Sequence, residues 1–72
     1  MQKEIGEDWV KVYSSNQVFK VELMKGILEN NGMDAVIINR QDSSYLSFGE
    51  IELYTLKIYA NKAMGIITLL NV

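Results

Sequence analysis

Val21-Glu22-Leu23-Met24-Lys25-Gly26-Ile27-Leu28-Glu29-Asn30-Asn31-Gly32 is the stretch on which the fold turns. Val21, Met24 and Leu28 recur at the spacing of one helix face, with Leu23 and Ile27 beside them. Glu22, Lys25 and Glu29 fall on the opposite side, leaving an apolar stripe for a core and a charged face for water. Asn30-Asn31 followed by Gly32 is a stop, because glycine enters the left-handed conformation that closes a helix without steric cost. The spacing predicts a helix over 17–30. Ser14-Ser15-Asn16 precede it and offer capping side chains.

Outward from this helix the pattern changes period. Trp9-Val10-Lys11-Val12-Tyr13 alternates and is rich in strand formers. On the other side, Ala35-Val36-Ile37-Ile38-Asn39 is apolar and β-branched, a second strand. Arg40 to Gly49 is polar and serine-rich, and reads as a loop carrying Tyr45, Leu46 and Phe48. Ile51 to Ala60 is the longest apolar run and predicts a central third strand. Asn61 then caps a last segment, Lys62 to Val72. Its place in the order favours helix, whereas Gly65 and the run Ile66-Ile67-Thr68 favour strand. That segment is apolar nearly all round, so it wants burial in this subunit or in another.

The order strand, helix, strand, strand, helix predicts an α+β fold of ferredoxin-like β-α-β-β-α type. The third strand lies between the first two, and both helices cover one face of a three-stranded sheet. Residues 1–8 form a flexible tail and residues 9–72 a single domain. Alternation turns Val10, Val12, Tyr54, Leu56, Ile58 and Ala60 toward the helices. It places Trp9, Lys11, Tyr13, Leu53, Thr55, Lys57 and Tyr59 on the open face. An uncovered face with aromatics and lysines has three readings: a contact between copies, a ligand or protein partner, or single-stranded nucleic acid.

Composition narrows the functions. The 72 residues include no His, no Cys and no Pro. The side chains most used for proton transfer near neutrality, thiolate attack and zinc ligation are therefore missing. The net charge of -2 argues against nucleic acid, whose phosphates call for a concentrated positive field. An apolar fraction of 49% in so short a chain leaves excess apolar surface and points to an oligomer or a partner. The acidic start has no apolar secretion core, and no run approaches the ~18 apolar residues of a membrane span. The expected location is the cytoplasm, with no membrane contact.

The segment Glu22 to Ala35 resembles a family of small bacterial domains of unknown function that carries the label of prokaryotic signal-transducing proteins. Members show a strand, a Ser/Asn-rich turn, then a helix with a Leu-x-Lys-Gly-x-Leu-Glu-x-x-Gly-Ile-like core. The likeness spans residues 9–70. That family is similar in topology to the nitrogen-regulatory PII proteins, in which a long loop after the second strand meets partners. The resemblance implies a regulatory domain whose loop 40–49 takes that role. The loop here is shorter, the fourth strand is missing and no PII nucleotide motif is visible. Neither nucleotide nor trimer is carried over.

The loop supplies the candidate ligand groups. Arg40 suits a carboxylate or phosphate, and Tyr45 and Phe48 are apolar anchors. The competing reading folds Leu46 and Phe48 back onto the core. Asp42 beside Ser43 and Ser44 reads as a turn and not as a triad. Glu4, Glu7 and Asp8 read as a solvated tail, and Glu50 with Glu52 is too few oxygens for calcium. No metal, cofactor or catalytic residue is expected. Gly26 sits inside the helix, by tolerance or because another backbone comes close. The expected function is a non-enzymatic binding or regulatory domain acting through loop 40–49. The alternative is a self-association module using the open face or the last helix.

Overall fold

A computed structural model describes residues 8–39 and 50–70. Strand β1 (Trp9–Ser15) leads to helix α1 (Val18–Asn30), then to β2 (Ala35–Asn39) and β3 (Ile51–Leu56). A 3-10 turn, Lys57–Tyr59, feeds helix α2 (Ala60–Leu70). The sheet has three strands in the order β1-β3-β2, with both outer strands antiparallel to β3. The chain is thus a small α+β domain with two helices and an antiparallel sheet.

Helix α1 buries Val21, Met24 and Leu28, the row that its spacing marks. Its start differs from expectation. Gln17 holds the N-cap position without a side-chain bond, and Ser15 is the last residue of β1. The Ser15 hydroxyl instead accepts the Gln17 N–H at 3.1 Å, so it braces the turn and not the helix. The end is as the sequence predicts. Gly32 has φ +82°, its N–H donates to the Glu29 carbonyl at 3.0 Å, and the Met33 N–H donates to Leu28 at 3.0 Å. This double closure satisfies two carbonyls that a helix end leaves bare. It also drives Met33 into the core beside Leu28.

Strand β3 alternates strictly. Ile51, Leu53 and Thr55 are buried, while Glu52, Tyr54 and Leu56 are half-buried. Thr55 has no exposed surface, and its hydroxyl donates to the Asp34 carbonyl at 2.6 Å. The strand ends at Leu56 instead of continuing to Ala60 as expected. Leu56 pairs with Trp9, the first residue of β1, and β2 begins a step earlier, opposite Thr55. Beyond Leu56 no described strand remains to bond. One last link joins the Lys57 N–H to the Asp8 carbonyl at 2.6 Å, and the chain turns.

The last segment is a helix. It starts at Ala60, so Asn61 lies in its first turn and does not cap it. Gly65 and the β-branched run are overridden because Ala63 and Ile67, four residues apart, are both buried. Burial of one face outweighs weak propensity. Val21, Met24 and Leu28 of α1 and Ala63 and Ile67 of α2 meet Val12, Ile51 and Leu53 in one core. Helix α1 packs chiefly over β2, helix α2 chiefly over β1, and both reach β3.

The pairing of β1 with β3 slips between Lys11 and Tyr13. Lys11 faces Tyr54 and Tyr13 faces Leu53, so Val12 is one residue too many on its strand. Such a bulge reverses the alternation beyond it. Val12 is buried and Tyr13 packs against the core, instead of standing with Trp9 and Lys11 on the other face.

Gly26 inside α1 and Gly32 just past its end give opposite expectations. A Cβ at Gly32 meets nothing within 4 Å, so Gly32→Ala incurs only the left-handed backbone strain, about 1–2 kcal/mol of stability lost. A Cβ on Gly26 also meets nothing within 4 Å, which leaves no close backbone among the described residues. Gly26→Ala therefore gains up to about 1 kcal/mol in urea unfolding.

Candidate functional site

Pairing partners in an antiparallel sheet share a face. Because Ile51, Leu53 and Thr55 turn to the core, Glu52, Tyr54 and Leu56 turn the other way. Trp9 lies opposite Leu56, Lys11 and Val36 lie opposite Tyr54, and Ser14 and Ile38 lie opposite Glu52. The face away from the core therefore presents Trp9, Lys11, Val36, Ile38, Glu52, Tyr54 and Leu56. None of these side chains belongs to the core cluster or packs against it, and no described helix lies over them.

The face is apolar with one polar row across it. Trp9 and Leu56 make an aromatic-aliphatic corner, and Val36 and Ile38 supply a β-branched edge. Between them the Glu52 carboxylate uses both oxygens. Oε1 accepts the Tyr54 hydroxyl at 3.0 Å, and Oε2 lies 3.7 Å from Lys11 Nζ. The Glu52 side chain is 15% exposed and that of Lys11 is 50% exposed. The carboxylate is thus held down against the sheet while the ammonium reaches into water. The arrangement favours a partner with apolar surface and one or two polar contacts.

Several residues expected on the open face stand elsewhere. Leu53 and Thr55 are fully buried on the core side. Tyr13 joins them through the bulge. Lys57 and Tyr59 lie past the end of the strand, where Tyr59 packs against the core and Lys57 is exposed. Lys57 lines a half-open pocket of about 310 Å³ with Asp8, Leu56 and Ile58. Trp9 and Lys11 do stand on the uncovered face, through the partners they pair with. Arg40, Tyr45 and Phe48 lie outside the described residues. Val36, Ile38, Glu52, Tyr54 and Leu56 belong to the face and were not expected there. The signal for them is Glu52, because an ionised carboxylate in a strand marks the phase that stays near water.

The helices also keep apolar side chains in solvent. Val18, Phe19 and Leu23 protrude from α1, and Met64, Leu69 and Leu70 from α2. Among the described residues no helix is long and apolar enough to cross a membrane. Among those residues too, no group of three His, Cys, Asp or Glu side chains is placed to hold a metal ion. No protein-family model, curated protein or solved structure matches the chain.

The phase of β3 sets the outcome of two neighbouring substitutions. Leu53→Ala empties part of the core and costs about 2–5 kcal/mol. Tyr54→Phe removes only the bond to Glu52 and costs about 1 kcal/mol or less. Urea unfolding of the two variants checks the difference.

Proposed function

We propose that this chain is a small non-enzymatic binding and regulatory domain of ferredoxin-like organisation, working in the cytoplasm as a signal-transducing module. The observation that supports it is the sheet face of Trp9, Val36, Ile38, Tyr54 and Leu56, which no described helix covers. The strand order β1-β3-β2 agrees with a ferredoxin-like sheet that lacks its fourth strand. Asn39 pairs with Ile51, so the described residues on either side of 40–49 stand side by side at one end of the sheet. In this reading the loop, with Arg40, Tyr45 and Phe48, meets the ligand or protein partner, and the face adds apolar contact.

An amide NMR titration of the labelled chain tests it, with nucleotides, common metabolites and a short single-stranded oligonucleotide as probes. The expected result is a set of shifts confined to Asn39–Glu50, extending to Trp9, Tyr54 and Leu56. Shifts with the oligonucleotide alone replace this reading with nucleic-acid binding. No shift with any probe rejects the small-molecule form.

A second reading is self-association, favoured by the apolar side chains that α2 leaves in solvent, Leu69 above all at 81% exposed. Ile67 is 6% exposed and belongs to the subunit's own core, so it does not report on a contact between copies. Leu69→Asp is the informative change. Light scattering then shows a smaller species if α2 forms the contact and an unchanged one if it does not.

A further inference from the structure

The end of α1 carries a chemically reactive pair. Asn31-Gly32 is the one place in the chain where glycine follows asparagine. Glycine has no Cβ to crowd its own backbone nitrogen, so that nitrogen can approach the carboxamide carbon of the residue before it. Both residues are exposed, which gives water access to the product of such an approach.

The helix closure occupies both reacting groups. The Gly32 N–H donates to the Glu29 carbonyl at 3.0 Å, and Asn31 Nδ2 donates to the Ile27 carbonyl at 2.8 Å. The Asn31 N–H is shared between the Ile27 and Leu28 carbonyls, at 3.2 and 3.0 Å. The nucleophilic nitrogen is therefore engaged and the carboxamide is pinned back along the helix. Met33 anchors this arrangement from the far side, with its side chain in the core and its N–H on the Leu28 carbonyl at 3.0 Å.

We propose that Asn31 is a deamidation site guarded by the closure of α1, and that its conversion prevents the closure from reforming. When the helix end opens, the Gly32 nitrogen attacks Asn31 Cγ. The new N–Cγ bond makes a succinimide, the Cγ–Nδ2 bond breaks, and ammonia leaves with the proton that the Gly32 nitrogen gives up through water. Water then adds to either ring carbonyl and yields aspartate or isoaspartate. Neither product fits the closed end. A carboxylate accepts but cannot donate to the Ile27 carbonyl, and its charge faces the negative end of the helix dipole. Isoaspartate also inserts a methylene into the main chain ahead of Gly32, which breaks the register that delivers Met33 to the core. The site thus records the time that the end of α1 has spent open.

Incubation of the full chain at neutral pH, in native buffer and in urea, tests this by peptide mass spectrometry with an isoaspartate-specific methyltransferase assay. The mass gain of amide-to-acid conversion is expected at Asn31, and roughly tenfold or more slower in the folded chain, because reaction there must wait for local opening. Asn31→Gln abolishes the gain at this position. Met33→Ala leaves the reactive pair intact, releases its anchor and speeds the reaction of the folded chain. Wild type in sub-denaturing urea gives the same information without a substitution: the rate at Asn31 rises in step with hydrogen exchange at the Gly32 and Met33 amides. Asn31→Asp lowers the urea midpoint. No conversion in urea overturns the site. Equal rates in folded and unfolded chain overturn the guard, and an Asn31→Asp variant as stable as the parent overturns the claim that conversion blocks the closure.

Discussion

Everything in this domain depends on β3 having one dry side. The strand is paired along both edges, and its alternate residues Ile51, Leu53 and Thr55 lose all contact with water. Both helices bury their apolar rows against that side. A small domain has few places to gather enough apolar area, and a central strand between two others is the most economical of them. Thr55 is the polar residue placed in this dry layer. Its hydroxyl is satisfied by the Asp34 carbonyl, which fixes where β2 begins. One partly buried bond therefore ties the end of the first crossover to the centre of the sheet.

The wet side follows from the same constraint. With the core on one face only, the other face keeps Trp9, Val36, Ile38, Tyr54 and Leu56 without a described helix above them. The bulge at Val12 decides how β1 contributes. It spends Val12 and Tyr13 on the core and leaves Trp9 and Lys11 outside. Glu52 then lies within reach of both Tyr54 and Lys11, which lets a carboxylate sit low on an apolar surface. The face is neutral in this row and apolar around it.

The edges carry a parallel lesson. β1 is blunted by a charge and a bulge, and β2 is not. The feature that reorients β1 on the sheet also interrupts its edge.

Much of this architecture was legible in the chain itself. The helix over residues 17–30, its stop at Gly32 and the strands before and after it follow from period and punctuation, whereas the last segment was left open between helix and strand and burial of Ala63 and Ile67 made it a helix. Those signals are local: a stripe every three or four residues, a left-handed glycine, a β-branched run. What the sequence by itself left open was phase. Alternation in β3 is equally regular either way, and extending it through Ile58 and Ala60 selected the wrong side. Those residues lie beyond the strand, and only the lengths of β1 and β2 show where β3 must stop. Nor does Lys11-Val12-Tyr13 announce a bulge, because the extra residue exists only relative to Tyr54 and Leu53 on another strand. Apart from the end of β3 and the state of the last segment, which residues form helices and strands was decided within each segment. Which side of the sheet they face was decided by pairing between segments, and that is a tertiary fact.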